Sequence, residues 1–161
     1  MKENASPEIS NERAYSHMAT LCAKREYCTS DIRKKLSRYC LNDDDVEKII
    51  NRLKAEKYID EVRYCRSFIS DKLRFNKWGR KKIEFALRQK LIPSDLISNV
   101  FLDFSDDMLN ESLESLLENK VRSIQYGSAR EKRSKLIRFA IGRGFSMDET
   151  LRCVDKILSE K

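Results

Sequence analysis

The sequence predicts an all-α protein, and three observations support this prediction. Glycine and proline, which the turns of an all-β protein need, number only 4 and 2 in 161 residues. Apolar residues recur at helical spacing, as in Val46, Ile49, Ile50 and Leu53. Typical helix-start patterns precede several such stretches. Together these features predict nine helices, at about 10–26, 30–39, 43–57, 61–75, 79–90, 94–103, 106–124, 129–142 and 147–159.

Most predicted helices begin at a recognisable cap. Ser128 with Glu131, and Ser146 with Glu149, fit a capping box, in which the serine and glutamate side chains bond each other's free amides. Carboxylates after a cap are favoured there by the helix dipole. The other signals are Asn42 and Ser105 before aspartates, weaker starts at 29–31, 60 and 93–95, a loop at Gly127, and a stop at Gly142 and Gly144.

The nine predicted helices form three groups of three. A shift of 51 residues places the apolar positions of the first group on those of the second, and a shift of 53 carries most of these onto the third. A period near 50 predicts a repeat array, against the alternative that helical patterns coincide by chance. We expect a flexible N-terminus at 1–9 and repeats at 10–59, 60–104 and 105–161. The matching positions include Ile32, Ile83 and Leu136; Leu36, Leu87 and Ala140; and Leu41, Ile92 and Phe145. The predicted core positions are Ile49, Leu53, Leu87, Ile92, Leu116 and Phe145.

The net charge of +7 is unevenly distributed. Residues 61–104 carry 10 basic and 5 acidic side chains. Two stretches are almost purely basic. The first basic segment, Lys72–Lys90, has eight cations and only Glu84 as an anion, and the second, Lys120–Arg143, has eight cations and only Glu131. Such clustering favours a polyanionic partner or a charge-patterned protein surface.

Candidate binding residues therefore lie in these two segments. Lysine and arginine neutralise phosphates or carboxylates, and Trp78 can stack on an exposed base or pack at an interface. The alternative is a solvated helix face with Trp78 packed against the next unit. In the second segment, Arg138 and Arg143 can instead pair with Asp148 or with helix-end carbonyls. The candidates are Lys72, Arg74, Lys77, Trp78, Arg80, Lys81, Lys82, Arg88 and Lys90, with Lys132, Arg133, Lys135, Arg138 and Arg143; Arg130 belongs to the same cluster.

No pattern in the sequence argues for an enzyme, a metal site or a cofactor. Phosphate-binding glycine loops and the H-E-x-x-H zinc motif are absent, and His17 has no evident catalytic partner. The aspartates 43–45 are explained by capping. Five cysteines without a C-x-x-C pair predict reduced thiols in the cytoplasm, since secreted proteins favour even counts. We expect neither a signal peptide at residues 1–7 nor a membrane span.

Three stretches, together covering about 12–158, resemble the RecX regulators of the bacterial recombinase RecA. The first runs from Ser30-Asp-Ile-Arg-Lys-Lys-Leu36 through Val46–Leu53 to Tyr58-Ile-Asp-Glu-Val-Arg-Tyr64. The second is Trp78-Gly-Arg-Lys-Lys-Ile83 continuing to Ile92, and the third is Arg138-Phe-Ala-Ile-Gly-Arg-Gly-Phe-Ser146. The chain departs from the family where Tyr39-Cys40 replaces a Lys-Gly helix stop and where Ala140 replaces a common leucine.

The resemblance implies an elongated, curved array of three three-helix units. It also implies a protein that lies along the groove of the RecA–DNA filament and blocks ATP hydrolysis, strand exchange and repressor cleavage. We further expect a monomer whose basic segments bind single- or double-stranded DNA weakly through charge. Two alternatives stay open. The chain can be a stand-alone DNA-binding regulator, since three-helix units resemble helix-turn-helix modules, or a helical scaffold for an unrelated partner.

Overall fold

A computed structural model describes residues 7–160, and all regular structure within them is helical, which confirms the predicted fold class. Residues 1–6 of the predicted flexible terminus, and Lys161, lie outside the described residues. The helices, in chain order, are α1 Asn11–Lys24, α2 Thr29–Leu36, α3 Asp43–Ala55, α4 Glu61–Asp71, a π-helical segment Lys72–Asn76, α5 Arg80–Gln89, α6 Ser94–Phe101, α7 Asp106–Ser123, α8 Ala129–Gly142 and α9 Met147–Ser159.

Local capping positions these helices as the sequence predicts. Ser128 and Ser146 form the two expected capping boxes. The side chain of Asn42 accepts a hydrogen bond from the backbone of Asp45 at 2.8 Å, and Ser105 caps α7 in the same way. Four helices end two or three residues before the predicted position: α1 at Lys24, α2 at Leu36, α3 at Ala55 and α6 at Phe101.

Residues 7–67 form one compact unit, in which α1 and α2 each pack against α3. Its core is built from the apolar faces of these helices. The core residues are Ala14, Tyr15, Met18, Ala19, Tyr27, Ile32, Leu36, Ile49, Ile50, Leu53 and Ile59.

All five cysteines of the chain are free thiols.

Residues 68–160 form a second compact unit. Within it α5 packs on α6, and α7, α8 and α9 pack on one another. The six predicted core positions, shared between the two units, are all at most 8% exposed, which confirms those assignments. The core of the three last helices comprises Leu113, Leu116, Leu117, Val121, Leu136, Ala140, Phe145, Val154 and Ile157.

The predicted helix over 61–75 is wrong in its last turn, because α4 ends at Asp71 and widens into the π-helical segment. A π-turn loosens the regular hydrogen-bond ladder, so its carbonyls need other donors. The buried hydroxyl of Ser112, on α7, donates to the carbonyl of Leu73 at 2.9 Å. The backbone N–H of Trp78 donates to the carbonyl of Lys72 at 3.0 Å. These donors come partly from tertiary contacts, which local sequence does not reveal.

The 53-residue shift also matches backbone geometry at two helix ends. Ile92 donates to the carbonyl of Leu87 at 3.3 Å, and the shifted pair, Phe145 and Ala140, forms the same bond at 3.2 Å. The residue just before each donor has positive φ: Leu91 at 61° and Gly144 at 96°. The ends of α5 and α8 therefore turn in the same way, although only the second has a glycine there.

Candidate functional site

The two basic segments meet at a backbone junction within the second unit. The N–H of Gly79 donates to the carbonyl of Arg143 at 2.7 Å, and the N–H of Lys81 donates to the carbonyl of Gly144 at 3.1 Å. The start of α5 is thereby joined to the turn between α8 and α9. Because these two amides already have partners, they are not available to bind an anion as free helix N-termini do.

The junction needs glycine on both sides. A Cβ atom added to Gly79 would lie 2.4 Å from the carbonyl carbon and oxygen of Gly144. A Cβ atom added to Gly144 would lie 2.4 Å from the Cβ of Lys82, and the φ of 96° at Gly144 disfavours any side chain. Gly79 of the second family-like stretch and Gly144 of the third thus form one contact.

Trp78 is half-buried beside this junction. The ammonium groups of Lys72 and Lys82 each lie 4.6 Å from the centroid of its ring. This distance is within the range of cation–π attraction. The ring therefore has two cationic neighbours from its own chain, and these contacts stabilise the local structure around the tryptophan.

Several other candidate cations also have partners within the fold. The guanidinium of Arg80 forms an ion pair with Glu84 at 2.7 Å and lies 4.5 Å from the ring centroid of Phe101. The guanidinium of Arg143 donates a hydrogen bond to the carbonyl of Asn76 at 3.3 Å. Asn76 ends the π-helical segment, so this bond is the contact with a helix-end carbonyl that the sequence analysis gave as an alternative. Three further candidates have these positions. The guanidinium of Arg74 lies 5.7 Å from the ring centroid of Phe75, and that of Arg133 lies 3.2 Å from a carboxylate oxygen of Asp155. Lys90 is half-buried at the C-cap of α5.

A smaller set of candidates has no such partner in the part of the chain that the structure describes. An unpaired cation keeps its full charge for a ligand, whereas an ion pair cancels it. These side chains are therefore better suited to contact a polyanion. Lys81, Arg88, Lys135 and Arg138 are exposed, and Lys77 and Lys132 are half-buried.

A groove at the C-terminal end of α7 adds residues that the sequence did not single out. It has a volume of about 750 Å³, and it includes Lys135 and Arg138 from the predicted set. Lys120 lies inside the second basic segment, but the sequence patterns single out neither Lys120 nor Tyr126. The lone signal for Tyr126 is its place in a loop before Gly127. The groove is lined by Lys120, Ser123, Ile124, Gln125, Tyr126, Lys135, Arg138 and Phe139.

Metal-ligating side chains and thiols are the other groups in the chain with distinctive chemistry. Within residues 7–160 no group of three or more His, Cys, Asp or Glu side chains is placed to hold a metal ion. Burial raises the pKa of the Cys65 and Cys153 thiols to about 11, which keeps both protonated and weakly nucleophilic at neutral pH. Among the described helices, none combines the length and the apolar character that crossing a bilayer requires.

Models of two protein domains match the chain. Residues 60–100 match the second three-helix domain of RecX, and residues 106–154 match the third. Together these matches cover more than half of the chain. The chain belongs to the RecX family.

Relatives along nearly the whole chain agree with this family. The regulatory protein RecX of Prosthecochloris aestuarii is 28% identical over 137 residues, which are 84% of this chain and 87% of that protein. The regulatory protein RecX of Acinetobacter baylyi is 28% identical over 157 residues, or 95% and 93% of the two chains. The relatives support a regulatory role for the chain.

Solved structures of RecX proteins show the same fold. A crystal structure of regulatory protein RecX superposes with a TM-score of 0.82 at 25% identity, over 90% of this chain and 73% of that one. The crystal structure of RecX from Lactobacillus salivarius gives a TM-score of 0.81 at 20% identity, over 91% and 95%.

Proposed function

We propose that the protein modulates a RecA recombinase by contacting the RecA–DNA filament. In this proposal it limits ATP hydrolysis, strand exchange and the co-protease activity of the SOS response. The proposal rests on membership of the RecX family together with the unpaired cations of the second unit. It includes action as a monomer in the cytoplasm, where five free thiols fit a reducing compartment.

The observation that supports this proposal most directly is the junction between the basic segments. Backbone hydrogen bonds from Gly79 and Lys81 to the α8–α9 turn hold the two segments together. Residues 68–161 carry 19 basic and 14 acidic side chains, and most candidate cations without partners among the described residues are exposed. A cluster of unpaired cations attracts a polyanion over several ångströms and releases its counterions on contact.

The proposed arrangement along the filament uses the predicted groups at 10–59, 60–104 and 105–161. A filament presents the same surface repeatedly, so a chain of similar units can contact several protomers. Each contact can be weak, because tethering raises the effective concentration of the next one.

The test adds purified protein to RecA on single-stranded DNA and follows ATP hydrolysis. We expect hydrolysis to slow, and we expect rising salt to weaken the effect. A double variant, Lys81→Ala with Arg88→Ala, removes two exposed cations that have no partner among the described residues. It should inhibit less and flatten the logarithmic salt dependence of DNA binding by roughly 0.7 to 0.9 for each phosphate that the variant no longer neutralises.

The matched control is Lys34→Ala with Lys48→Ala, which removes the same charge from exposed positions in the first unit. It should inhibit like the unmodified protein. An equal reduction of inhibition in both double variants would mean that net charge alone matters. A Lys81/Arg88 variant that no longer binds DNA but inhibits fully would leave RecA contact as the cause.

No effect of the unmodified protein on RecA over a wide concentration range would refute the proposed function. Strong preference for one duplex sequence would then favour the stand-alone DNA-binding regulator. Absence of both activities would favour a helical scaffold for another partner.

A further inference from the structure

The groove at the end of α7 combines an exposed aromatic ring with cations. We propose that it binds one unpaired nucleotide of a nucleic-acid strand, with the base stacked on Tyr126 and the phosphates held by Lys135 and Arg138. This inference deepens the proposed function and rests on it for the source of the strand. It adds a binding site that the likeness to RecX proteins does not assign.

The loop that carries Tyr126 is anchored at both ends. At its start, Ile124 caps α7 through its N–H to the carbonyl of Val121 at 3.2 Å and packs against the core of the last three helices. At its end, Ser128 and Glu131 form a capping box. Between these anchors Tyr126 is 83% exposed. The fold thus holds a large ring toward solvent at the edge of the groove.

The facing wall of the groove is one side of α8. Lys135, Arg138 and Phe139 have the i, i+3, i+4 spacing that places side chains on one helix face. The ammonium group of Lys120, from α7, lies 4.6 Å from the ring centroid of Phe139. Among the described residues, the groove is lined by three cations and no carboxylate. This charge suits a phosphate better than a neutral ligand.

The exposed ring favours a nucleotide over an acidic peptide. Aromatic side chains in strand-binding proteins stack on bases, while cations nearby follow the backbone. The groove volume of about 750 Å³ lies within the range of small-ligand sites, roughly 300–1,000 Å³. A base within a duplex is already stacked on both faces, so the ring can reach only an unpaired base.

Tyr126 differs in this respect from Trp78. Trp78 has two lysine ammonium groups at 4.6 Å from its ring centroid. Within the described residues no side chain stacks on Tyr126, and neither Lys135 nor Arg138 forms an ion pair. The groove therefore offers a ligand both an aromatic ring without a stacked neighbour and cations without an ion-pair partner. The first basic segment does not offer such a ring at Trp78.

The experiment uses the full chain and a labelled oligothymidylate, without RecA, and measures binding by fluorescence anisotropy. Removing one stacking ring should weaken binding roughly 5- to 150-fold, so we expect this weakening for Tyr126→Ala. Tyr126→Phe keeps the ring and should bind like the unmodified protein. The matched control is Leu102→Ala, which removes an apolar side chain that is 83% exposed, like Tyr126, and that lies outside both basic segments. It should leave binding unchanged.

The charges are tested separately. Lys135→Ala with Arg138→Ala should flatten the logarithmic salt dependence by roughly 0.7 for each phosphate of the single strand that is no longer neutralised. A duplex of equal length should bind without dependence on Tyr126. Circular dichroism of these variants should show unchanged helix content, because the side chains of Tyr126, Lys135 and Arg138 are all exposed.

Unchanged oligonucleotide binding by Tyr126→Ala would overturn the proposal. So would a glutamate-rich peptide that competes through Lys135 and Arg138 while Tyr126→Ala has no effect, since this result would assign the groove to a protein partner. A mononucleotide that binds as tightly as the oligomer would exclude the strand. Tyr126-dependent strand binding by a protein without effect on RecA would support the groove and refute only the proposed function.

Discussion

The two basic segments each have eight cations and one anion, but the fold places these cations in different surroundings. In the first, Lys72–Lys90, the rings of Trp78 and Phe101 and the carboxylate of Glu84 hold several cations in place. In the second, Lys120–Arg143, two exposed cations line a groove beside a tyrosine that nothing in the described residues covers. Eight cations in one segment therefore do not reveal how many are available to a ligand. Availability depends on which rings and carboxylates the fold brings near them.

The helices that carry the two segments differ at one matching core position. Leu87 on α5 is fully buried, whereas the position 53 residues later is the small, fully buried Ala140 on α8. Leu87→Ala should lower the free energy of unfolding by about 2–5 kcal/mol, because it leaves a cavity. Thermal or denaturant unfolding measures this change.

The control for this variant is Phe85→Ala on the same helix, where the ring is 58% exposed and its removal should change stability little. An unchanged midpoint for Leu87→Ala would mean that the 53-residue register is wrong in α5.

The junction between the segments gives the next largest effect. Gly79→Ala places a methyl group 2.4 Å from the backbone of Gly144, and this clash should lower the free energy of unfolding by about 1–3 kcal/mol. Gly142→Ala is the matched control, since a Cβ there meets nothing within 4 Å. It should be neutral or slightly stabilising, because alanine is favoured in a helix. Equal stability of both variants in denaturant unfolding would exclude a tight junction.

The smallest effect concerns the turns that end the two segments. Leu91, which follows the first segment, has φ 61°, and Gly144 follows the second segment at the matching position. A leucine has a steric cost in this conformation. Leu91→Gly should raise the free energy of unfolding by up to about 1 kcal/mol, after the entropy cost of glycine. Leu102 is similarly exposed but has φ −62°, so Leu102→Gly should instead destabilise. Destabilisation by Leu91→Gly in denaturant unfolding would contradict this account.

Much of the fold could be predicted because helix signals are local. The capping boxes at Ser128 and Ser146 involve residues three apart, and both form as predicted. The widening of α4 at Lys72–Asn76 was missed, since the carbonyl of Leu73 is bonded by a hydroxyl 39 residues away. For the candidate binding site, the sequence predicted the two segments in which the cations lie. Tyr126 was not predicted, because a tyrosine in a loop carries no sign of its exposure or of the groove beside it.

The sequence by itself determined the helical class, the apolar faces and the positive segments of this RecX-family chain. These properties depend on residues within one or two helical turns, which the 3.6-residue period and the caps encode. The tertiary structure alone decided that Gly79 meets Gly144, and that Lys135 and Arg138 face an open groove. Each of these depends on how separate helices pack, and packing distances between residues far apart in the chain are not encoded in any local pattern.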